Sequence, residues 1–326
     1  MKKINFILLV VFVLAAFISN AQDSKKDFFG MWTIAIEGGS VGWLEVHDKE
    51  GFLDADLLWK GGSVTPVSFV FFYDENTLIV TKSNEVKRSE ERKHIFSETF
   101  IFKREGDKLE GTSIYPIKGG MSAQIDKFKG WKLPDVGQAP DLSKVKYGKA
   151  VKLFNGKNLD GWELMGEGRK NGFSVKDGTM INDPKGHGYG NIRTTQEFED
   201  FNLKLEVNVP AGSNSGVYLR GIYEIQVFDS YGKELDSHNM GGLYSRVTPS
   251  QAAEKPAGEW QAMDITLCDR HVTVILNGKT ILDNVPAYGP TGGAISADVF
   301  KEGPIYLQGD HGKISYRNMV LTPIIK

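Results

Sequence analysis

Cysteine is almost absent from this chain of 326 residues, since Cys268 is the only one. A single cysteine excludes an internal disulfide and a zinc site built from several thiolates. Cys268 ends an apolar run at residues 265–268, so we expect a small buried side chain rather than a catalytic thiol. Cys268 lies far from the N-terminal apolar segment, so the sequence offers no thiol near that segment for a lipid anchor.

The chain also lacks an excess of charge of one sign and a long helical repeat. Its 39 basic and 41 acidic residues give a net charge of −2, which argues against a nucleic-acid partner. Hydrophobic residues make up 40% and charged residues 25%, which excludes a disordered chain and a protein with many membrane spans. With 37 glycines and 11% aromatic residues, the composition is typical of strands joined by turns.

The N-terminus has the composition of a secretory signal peptide. Lys2 and Lys3 precede an apolar run at residues 4–18, and small residues follow up to Ala21. An uncleaved membrane anchor is the alternative, but the run is short for a span of about 20 residues. We therefore expect cleavage after residue 21, a periplasmic or secreted protein, and no transmembrane anchor in the mature chain.

Residues 22–132 are expected to form a small antiparallel β-domain, either a barrel or a sandwich. The Gly30-Met31-Trp32 start of the first strand is a hint of a lipocalin-like barrel. Turn signals such as Gly61-Gly62 separate the predicted strands. Those strands cover residues 34–36, 42–46, 52–59, 67–73, 77–81, 97–104 and 108–114.

Residues 133–149 contain proline, glycine and polar residues without apolar alternation, so they are interpreted as a linker. Residues 150–326 are again expected to be all-β. Asp177-Gly178 and Asn277-Gly278 each sit between short strand patterns and predict two tight hairpins. The number of strands suits a jelly roll of two packed sheets.

Several strands of this second domain alternate between apolar and polar residues. If the apolar sets form the core, the polar sets share one sheet face that is rich in tyrosine, glutamine, arginine and acids. Such residues supply hydrogen-bond arrays and flat platforms for sugars, although a solvated sheet face is the plainer interpretation. The predicted face carries Lys204, Glu206, Tyr218, Arg220, Glu224, Gln226, Tyr306 and Gln308.

A series of motifs in residues 150–324 resembles the 3-keto-disaccharide hydrolase domain family, formerly known as domain of unknown function 1080. The motifs occur in the order found in that family, and residues 22–132 lie outside the resemblance. They are LFNGKNLDGW at 153–162, NSGVYLRG at 214–221, YEIQVFD at 223–229, GEW at 258–260, LNG at 276–278, GPIYLQ at 303–308, HG at 311–312 and YRN at 316–318.

The resemblance implies a concanavalin A-like jelly roll, an exported location and action on glycosides that are already oxidised at sugar carbon 3. A ketone at C3 acidifies the hydrogen at C2, so a base can remove it and the group on C1 can then leave. Water completes a net hydrolysis. Such a site needs a base near C2, stabilisation of the C3 oxyanion and an acid near the leaving oxygen.

Candidate roles follow from residue chemistry. Glu224 is the first choice for proton transfer, His311 is a second proton carrier, and Arg220 is a candidate for oxyanion stabilisation. The plainer alternatives are a Glu224–Arg220 ion pair and a structural turn histidine at position 311. The remaining polar residues are expected to bind substrate: Lys204, Glu206, Tyr218, Gln226, His238, Tyr306 and Gln308.

A cofactor is not assigned, and a divalent metal is left open. Possible ligands are present, but none has the spacing of an H-E-x-x-H motif, and no G-x-S-x-G nucleophile motif occurs. The possible ligands are Asp229, Asp236, His238, Asp310 and His311.

Three functions are compatible with these patterns. The first is an exported enzyme that cleaves 3-keto-glycosides, with an oligosaccharide or glycoside as its substrate. The second is a non-catalytic carbohydrate-binding module that uses the same face. The third is an interaction protein whose contacts lie in the N-terminal domain, and it has the least support.

Overall fold

The computed structural model describes residues 25–87 and 89–325. The predicted signal peptide, residues 1–21, lies outside the described residues. Within those residues, no helix has both the length and the apolar character needed to span a bilayer. The chain divides into two compact units. The first ends at Pro134, and the second consists of Lys60–Val64 together with Asp135–Lys326.

One antiparallel sheet has the strand order β4-β3-β2-β1-β9-β8-β7-β6-β5 in the described part of the chain. Eight of these strands belong to the first unit, whereas β4 begins in Lys60–Val64, which is grouped with the second unit. Neighbouring strands are consecutive in sequence apart from the β1–β9 pair, so the sheet is a meander. Its strands are β1 (Gly30–Ile36), β2 (Val41–Lys49), β3 (Phe52–Trp59), β4 (Gly61–Pro66), β5 (Phe69–Phe72), β6 (Thr77–Lys87), β7 (Lys93–Glu105), β8 (Lys108–Ile117) and β9 (Ser122–Lys132).

The sheet curls around a single core, which makes the unit a barrel rather than a two-sheet sandwich. Val67 N–H donates a hydrogen bond to the Ala55 carbonyl over 3.1 Å, which links the approach to β5 with β3. Aromatic side chains fill the interior, where Trp59 contacts Phe100 edge-on with ring centroids 4.9 Å apart. Such filling leaves the barrel as a packed core.

Two strands of this sheet were not predicted from sequence. Gly61 and Gly62 were expected to form a turn, but they begin β4 with positive φ angles of 148° and 73°. β9 was missed because its 11 residues include three lysines and a glycine, which weakens the alternating pattern. In the structure β9 pairs with both β1 and β8, so it completes the meander.

The second unit is a two-sheet β-sandwich. Its strands are β10 (Lys146–Tyr147), β11 (Val151–Lys152), β12 (Trp162–Leu164), β13 (Lys170–Asn171), β14 (Phe173–Lys176), β15 (Thr179–Asn182), β16 (Tyr189–Gly190), β17 (Ile192–Phe198), β18 (Phe201–Asn208), β19 (Asn214–Leu219), β20 (Tyr223–Phe228), β21 (Trp260–Cys268), β22 (His271–Leu276), β23 (Lys279–Pro286), β24 (Gly303–Leu307) and β25 (Ile314–Ile325).

The larger sheet has the main order β14-β15-β25-β18-β21-β22-β23, with β10 and β11 also paired to β25, and the smaller sheet has the order β12-β17-β24-β19-β20. β13 and β16 pair with one another in a separate two-stranded parallel sheet. Their inner faces meet at Ser215 of β19 and Tyr316 of β25, whose hydroxyl oxygens lie 2.9 Å apart in the buried interior. Apolar residues of both sheets, such as Val217 and Leu205, are buried. The predicted all-β jelly-roll class is therefore confirmed.

Both predicted hairpins are present. Asp177 and Gly178 have φ angles of 50° and 74°, and Asn277 and Gly278 have φ angles of 52° and 82°. A tight hairpin turn needs positive φ angles at both central residues, and an Asx-Gly pair adopts them readily. They connect β14 to β15 and β22 to β23 in antiparallel register.

The expected linker contains part of the second unit. β10 lies within residues 133–149 and pairs with Ile324 and Ile325 of β25. Gly148 N–H also donates to the Pro323 carbonyl over 2.8 Å. No alternating pattern marks β10 in the sequence, because a two-residue strand is too short to show one.

We predict that a fragment comprising residues 135–326 folds on its own, because the contacts of the sandwich core lie within it. The fragment should unfold cooperatively in a thermal melt followed by circular dichroism. A second fragment that begins at Lys149 loses the β10 pairing and should melt a few degrees lower. An insoluble or molten 135–326 fragment beside a folded full chain would contradict this prediction.

Candidate active site

Three side chains form a row across the smaller sheet because of the strand register. Tyr218 of β19 is paired with Glu224 of β20 on one side and with Tyr306 of β24 on the other. Directly paired residues project to the same face of a sheet, so their side chains lie next to one another. The apolar neighbours Val217 and Ile225 point to the opposite face and enter the sandwich core.

Glycine in the next row makes space for the carboxyl of Glu224. Gly216 is paired with Gln226, two residues along from Tyr218. A Cβ atom on Gly216 would lie 2.2 Å from Glu224 Oε1, which is far inside contact distance. The missing side chain at position 216 therefore allows the carboxyl to lie over β19.

The two tyrosines stack and are fixed by a glycine loop. Their ring centroids are 3.8 Å apart and the planes are inclined by only 13°. The Tyr218 hydroxyl donates a hydrogen bond to the Gly292 carbonyl over 2.7 Å, and the Tyr306 hydroxyl donates one to the Gly293 carbonyl over 2.8 Å. Burial raises the pKa of both phenols well above their ordinary value, so they remain protonated donors.

Thr291 attaches this glycine loop to the strand that carries Glu224. The backbone N–H of Glu224 donates to Thr291 Oγ1 over 2.8 Å, and the Thr291 hydroxyl donates to the Ile222 carbonyl over 3.0 Å. All of these groups are buried. The loop, the tyrosine pair and Glu224 are thus joined by one network of hydrogen bonds, which restricts the position of the carboxyl.

Glu224 has the environment of a proton-transfer residue. Only 3% of its surface is exposed. Burial raises its pKa from 4.5 to about 8; the Tyr218 hydroxyl opposes this rise, and the negative charge of Asp310 adds to it. At neutral pH the carboxyl is therefore mostly protonated, and it becomes a comparatively strong carboxylate base when it loses its proton.

Asp310 and His311 form a second titratable pair at the pocket. Asp310 Oδ1 lies 2.7 Å from His311 Nδ1, and both side chains are partly exposed. This hydrogen bond lowers the pKa of Asp310 and raises the pKa of His311, while burial opposes each shift. The bond leaves Nε2 of the imidazole as the nitrogen that can exchange a proton with a ligand.

The loop that carries this pair is fixed to the sandwich. Asn182 Nδ2 donates to the Gly309 carbonyl over 3.1 Å and to the Gly312 carbonyl over 2.9 Å. Gly309 N–H donates to Asn191 Oδ1 over 2.8 Å. The His311 loop is therefore anchored at both ends by a buried asparagine.

These groups surround a pocket of about 200 Å³. Two acids, one histidine, three tyrosines, three amides and four glycines line it. The lining residues are Gly61, Gly62, Asn191, Asn214, Tyr218, Glu224, Tyr244, Gly292, Gly293, Tyr306, Gln308, Asp310 and His311. Five of the residues proposed from sequence as catalytic or substrate-binding thus meet at one pocket: Glu224, His311, Tyr218, Tyr306 and Gln308.

Arg220 and Gln226 do not line this pocket. Arg220 has a φ of 55° in the turn after β19, and its buried guanidinium donates to the Val299 and Lys301 carbonyls. It supports that loop, and the described contacts do not include the alternative ion pair with Glu224. Gln226 is 3% exposed and is buried beside the site.

Lys204 and Glu206 were wrongly placed on the same face, because β18 belongs to the larger sheet. Lys204 Nζ lies 3.1 Å from Asp264 Oδ2, and Arg317 Nε donates to Glu206 Oε2 over 2.7 Å. Alternation shows which residues share a face of their own strand. It does not show which sheet that strand joins, and the chain changes sheets between β18 and β19.

His238 is adjacent to the pocket lining rather than part of it. Its ring packs edge-on against Tyr244 with centroids 5.0 Å apart, and Nδ1 is hydrogen-bonded to Asp236. Asp229 lies apart from them and accepts from Gly212 N–H over 2.9 Å. The five possible metal ligands named from sequence are therefore distributed over separate contacts.

Among the described residues, the atoms that lie close enough to share one ion belong to Asp200, Cys268 and Asp269. None of these lines the pocket. Asp200 Oδ2 already accepts from Asp269 N–H over 3.1 Å. The pocket itself therefore offers the Asp310–His311 pair and Glu224 rather than a closed ligand set.

Sequence reasoning missed several lining residues. Asn214 could have been predicted, because the alternation of β19 places it on the same face as Gly216 and Tyr218. Asp310 was named only as a metal ligand, although it precedes His311. Tyr244, Asn191 and the glycines carry no periodic signal, because they lie in loops or at strand ends.

Comparison with known proteins supplies the family. Residues 149–322 match the 3-keto-alpha-glucoside-1,2-lyase-like domain, and the matched segment contains the whole row of Tyr218, Glu224 and Tyr306. The chain belongs to this family. The first unit and Lys60–Val64 lie outside the matched residues.

A relative of this family member is a 3-keto-disaccharide hydrolase from Bacteroides thetaiotaomicron, which is 25% identical. The match covers 41% of this chain, and the chain spans 57% of the length of that relative. A solved candidate glycosyl hydrolase from Parabacteroides distasonis is 30% identical, with a TM-score of 0.44 over 57% of this chain and 93% of the other. A laminarinase from Flavobacterium sp. UMI-01 is 14% identical, with a TM-score of 0.35 over 55% and 100%.

Replacing Glu224 with glutamine should change how stability depends on pH. The folded protein holds the Glu224 proton up to about pH 8, whereas the unfolded chain releases it near 4.5. Between those values the unfolded state binds fewer protons, so the free energy of unfolding falls as pH rises. Glu224→Gln removes this loss, and its melting temperature relative to the parent should increase from pH 5 to pH 8.

Glu206→Gln is the matched control for this prediction. The hydrogen bond with Arg317 lowers the pKa of Glu206, so ionised Glu206 stabilises the folded parent at pH values above the ordinary pKa of glutamate. The Glu206→Gln variant lacks this contribution and should have a lower melting temperature than the parent at neutral pH. A melting temperature of Glu224→Gln that falls relative to the parent from pH 5 to pH 8 would show that burial does not raise the pKa of Glu224.

Proposed function

We propose that this protein is an exported enzyme that cleaves 3-keto-glycosides by C2 deprotonation, elimination and hydration. The single observation that carries the proposal is the buried carboxyl of Glu224, with a pKa of about 8, in a pocket whose titratable groups all lie within the matched residues 149–322. The name of the relative from Bacteroides thetaiotaomicron supports the same substrate class. Export rests on the sequence of residues 1–21.

Glu224 is the base in this mechanism. The C3 ketone of the substrate makes the C2 hydrogen acidic, and a carboxylate with a raised pKa is better matched to removing it than an ordinary carboxylate. The C2–H electron pair forms the enolate, and the negative charge moves to the C3 oxygen. Amide groups at the pocket, among them Asn214 and Gln308, are proposed to bind this oxygen and the hydroxyls.

His311 is the proton donor to the leaving group. When the enolate returns its electron pair, the C1–O bond breaks and the leaving oxygen needs a proton. Asp310 raises the pKa of His311, which keeps the imidazole protonated to higher pH. Water then adds to the C1–C2 double bond, with oxygen at C1 and hydrogen at C2, and regenerates a 3-keto sugar.

One observation favours a second candidate, an ordinary glycosidase. Such enzymes use a protonated carboxyl and an ionised carboxylate around one sugar. Glu224 and Asp310 line the same pocket, and the pKa of the first is raised while that of the second is lowered. Asp310, however, is already paired with His311, and the family match favours the 3-keto substrate.

A carbohydrate-binding module is less well supported by the same geometry. Sugar platforms need an aromatic face that is open to the ligand. Tyr218 and Tyr306 are each 1% exposed and stack on one another. The pocket is therefore lined by their edges and hydroxyls, together with titratable groups.

Substrate choice separates the two enzyme mechanisms. We predict cleavage of a 3-keto-glucoside, no cleavage of the parent glucoside, and exchange of the C2 hydrogen with deuterated solvent during turnover. Mass spectrometry of the products measures both quantities, and a parallel reaction with chelator reports any metal requirement. Hydrolysis of the parent glucoside without exchange would establish the ordinary glycosidase instead.

Glu224→Gln should abolish proton transfer, with a loss of about 10²–10⁴-fold in kcat, because an amide does not exchange a proton at neutral pH. In the parent, kcat/KM should rise with pH with a midpoint near 8, as Glu224 loses its proton. Blank reactions at each pH correct for elimination by solvent base. Glu206→Gln should keep parent activity, and parent-like turnover by Glu224→Gln would transfer the base role to another group.

A further inference from the structure

The pocket includes a segment that lies outside the family's domain. Lys60–Val64 belongs to the second unit, although residues 149–322 are the ones that match the family. Gly61 and Gly62 from this segment line the pocket together with Glu224. Neither glycine places a side chain there, so the backbone itself forms that part of the lining.

The segment packs closely on the loop that fixes the tyrosine pair. A Cβ atom on Gly292 would lie 2.1 Å from the Gly62 carbonyl oxygen, so the two backbones touch where neither residue has a side chain. A Cβ atom on Gly61 would lie 3.8 Å from Gly293 N. Because the carbonyls of Gly292 and Gly293 accept hydrogen bonds from the two tyrosine hydroxyls, the segment lies next to the residues that hold the tyrosine pair.

Polar contacts hold the segment in this position. Ser63 Oγ lies 2.9 Å from His238 Nε2 and 3.3 Å from the Tyr244 hydroxyl. His238 is oriented through its other ring nitrogen by Asp236. Val64 N–H donates to Ser245 Oγ over 2.9 Å. Both ring nitrogens of His238 are thus used in structural contacts, because the imidazole connects Ser63 of the segment to Asp236.

We propose that Lys60–Val64 is a specificity-determining part of the substrate site, with Gly61 and Gly62 contacting the leaving group of the glycoside. The proposal rests on the proposed function. A pocket of about 200 Å³ is smaller than the roughly 300–1,000 Å³ of sites for drug-sized ligands. It encloses about one sugar ring, so a larger leaving group lies at the rim, where Gly62 is exposed.

Gly62→Asn tests this assignment. Gly62 has a φ of 73° and open space where a Cβ would be, and asparagine tolerates this backbone better than most residues. The added side chain should raise KM for a 3-keto-disaccharide about tenfold and should raise it less for methyl 3-keto-glucoside. The pH dependence of kcat/KM should stay unchanged, because Glu224 keeps its surroundings.

Gly232→Asn is the matched control. Gly232 has a φ of 75°, equally open space and a position in the second unit away from the pocket lining. It should behave as the parent with both substrates. Ser63→Ala removes the hydroxyl that meets His238 and should raise KM by about 2- to 10-fold, whereas Ser63→Thr keeps the hydroxyl and should restore most of the affinity.

Binding is measured separately from turnover by calorimetry with the same two ligands in the Glu224→Gln background. Equal affinities and equal KM values for Gly62→Asn and Gly232→Asn would overturn the role of the segment and leave the proposed function intact. A parent protein that binds the ligands without turning them over would refute the proposed function, and the calorimetric comparison would still decide the role of Gly62. A parent that neither binds nor cleaves them would overturn both.

Discussion

The candidate site depends on the register of one central strand. Because β19 pairs Tyr218 with Glu224 on one side and with Tyr306 on the other, three polar side chains form a row on the face opposite the core. A shift of one residue would turn Tyr218 inward and bring Val217 out, which would bury a hydroxyl and expose an apolar side chain. The pattern that builds the sandwich core therefore also aligns the site.

Burial gives Glu224 its chemistry and has a cost for the fold. The carboxyl is kept from water by the tyrosine pair, the Gly292–Gly293 loop and the bare backbone of Gly216, so its ionised form is disfavoured. A residue that is poorly solvated when charged is a stronger base in the site than it would be in water. The hydrogen-bond network through Thr291 and the two tyrosines holds this unfavourable arrangement together.

Much of the fold and half of the site could be predicted from sequence, for identifiable reasons. Leu203, Leu205 and Val207 alternate strictly and are buried, and the two Asx-Gly turns have the expected backbone. The alternating pattern could not show which sheet a strand joins. β18 and β19 both alternate between apolar and polar residues, yet Glu206 of β18 lies in the larger sheet, where it contacts Arg317. Arg220 was misplaced because a positive φ ends the alternation there, and Tyr244 had no local signal.

Four glycines line the pocket, and a fifth, Gly216, lies beneath the carboxyl of Glu224. Gly216 admits the carboxyl of Glu224, Gly292 admits the backbone of Gly62, and Gly293 would place a Cβ 2.6 Å from the Tyr218 hydroxyl. At each of these positions, a neighbouring group approaches the glycine backbone more closely than a side chain there would allow. Since Gly61 and Gly62 lie outside the matched residues 149–322, the pocket is lined both by the family's domain and by a segment that precedes it in this chain.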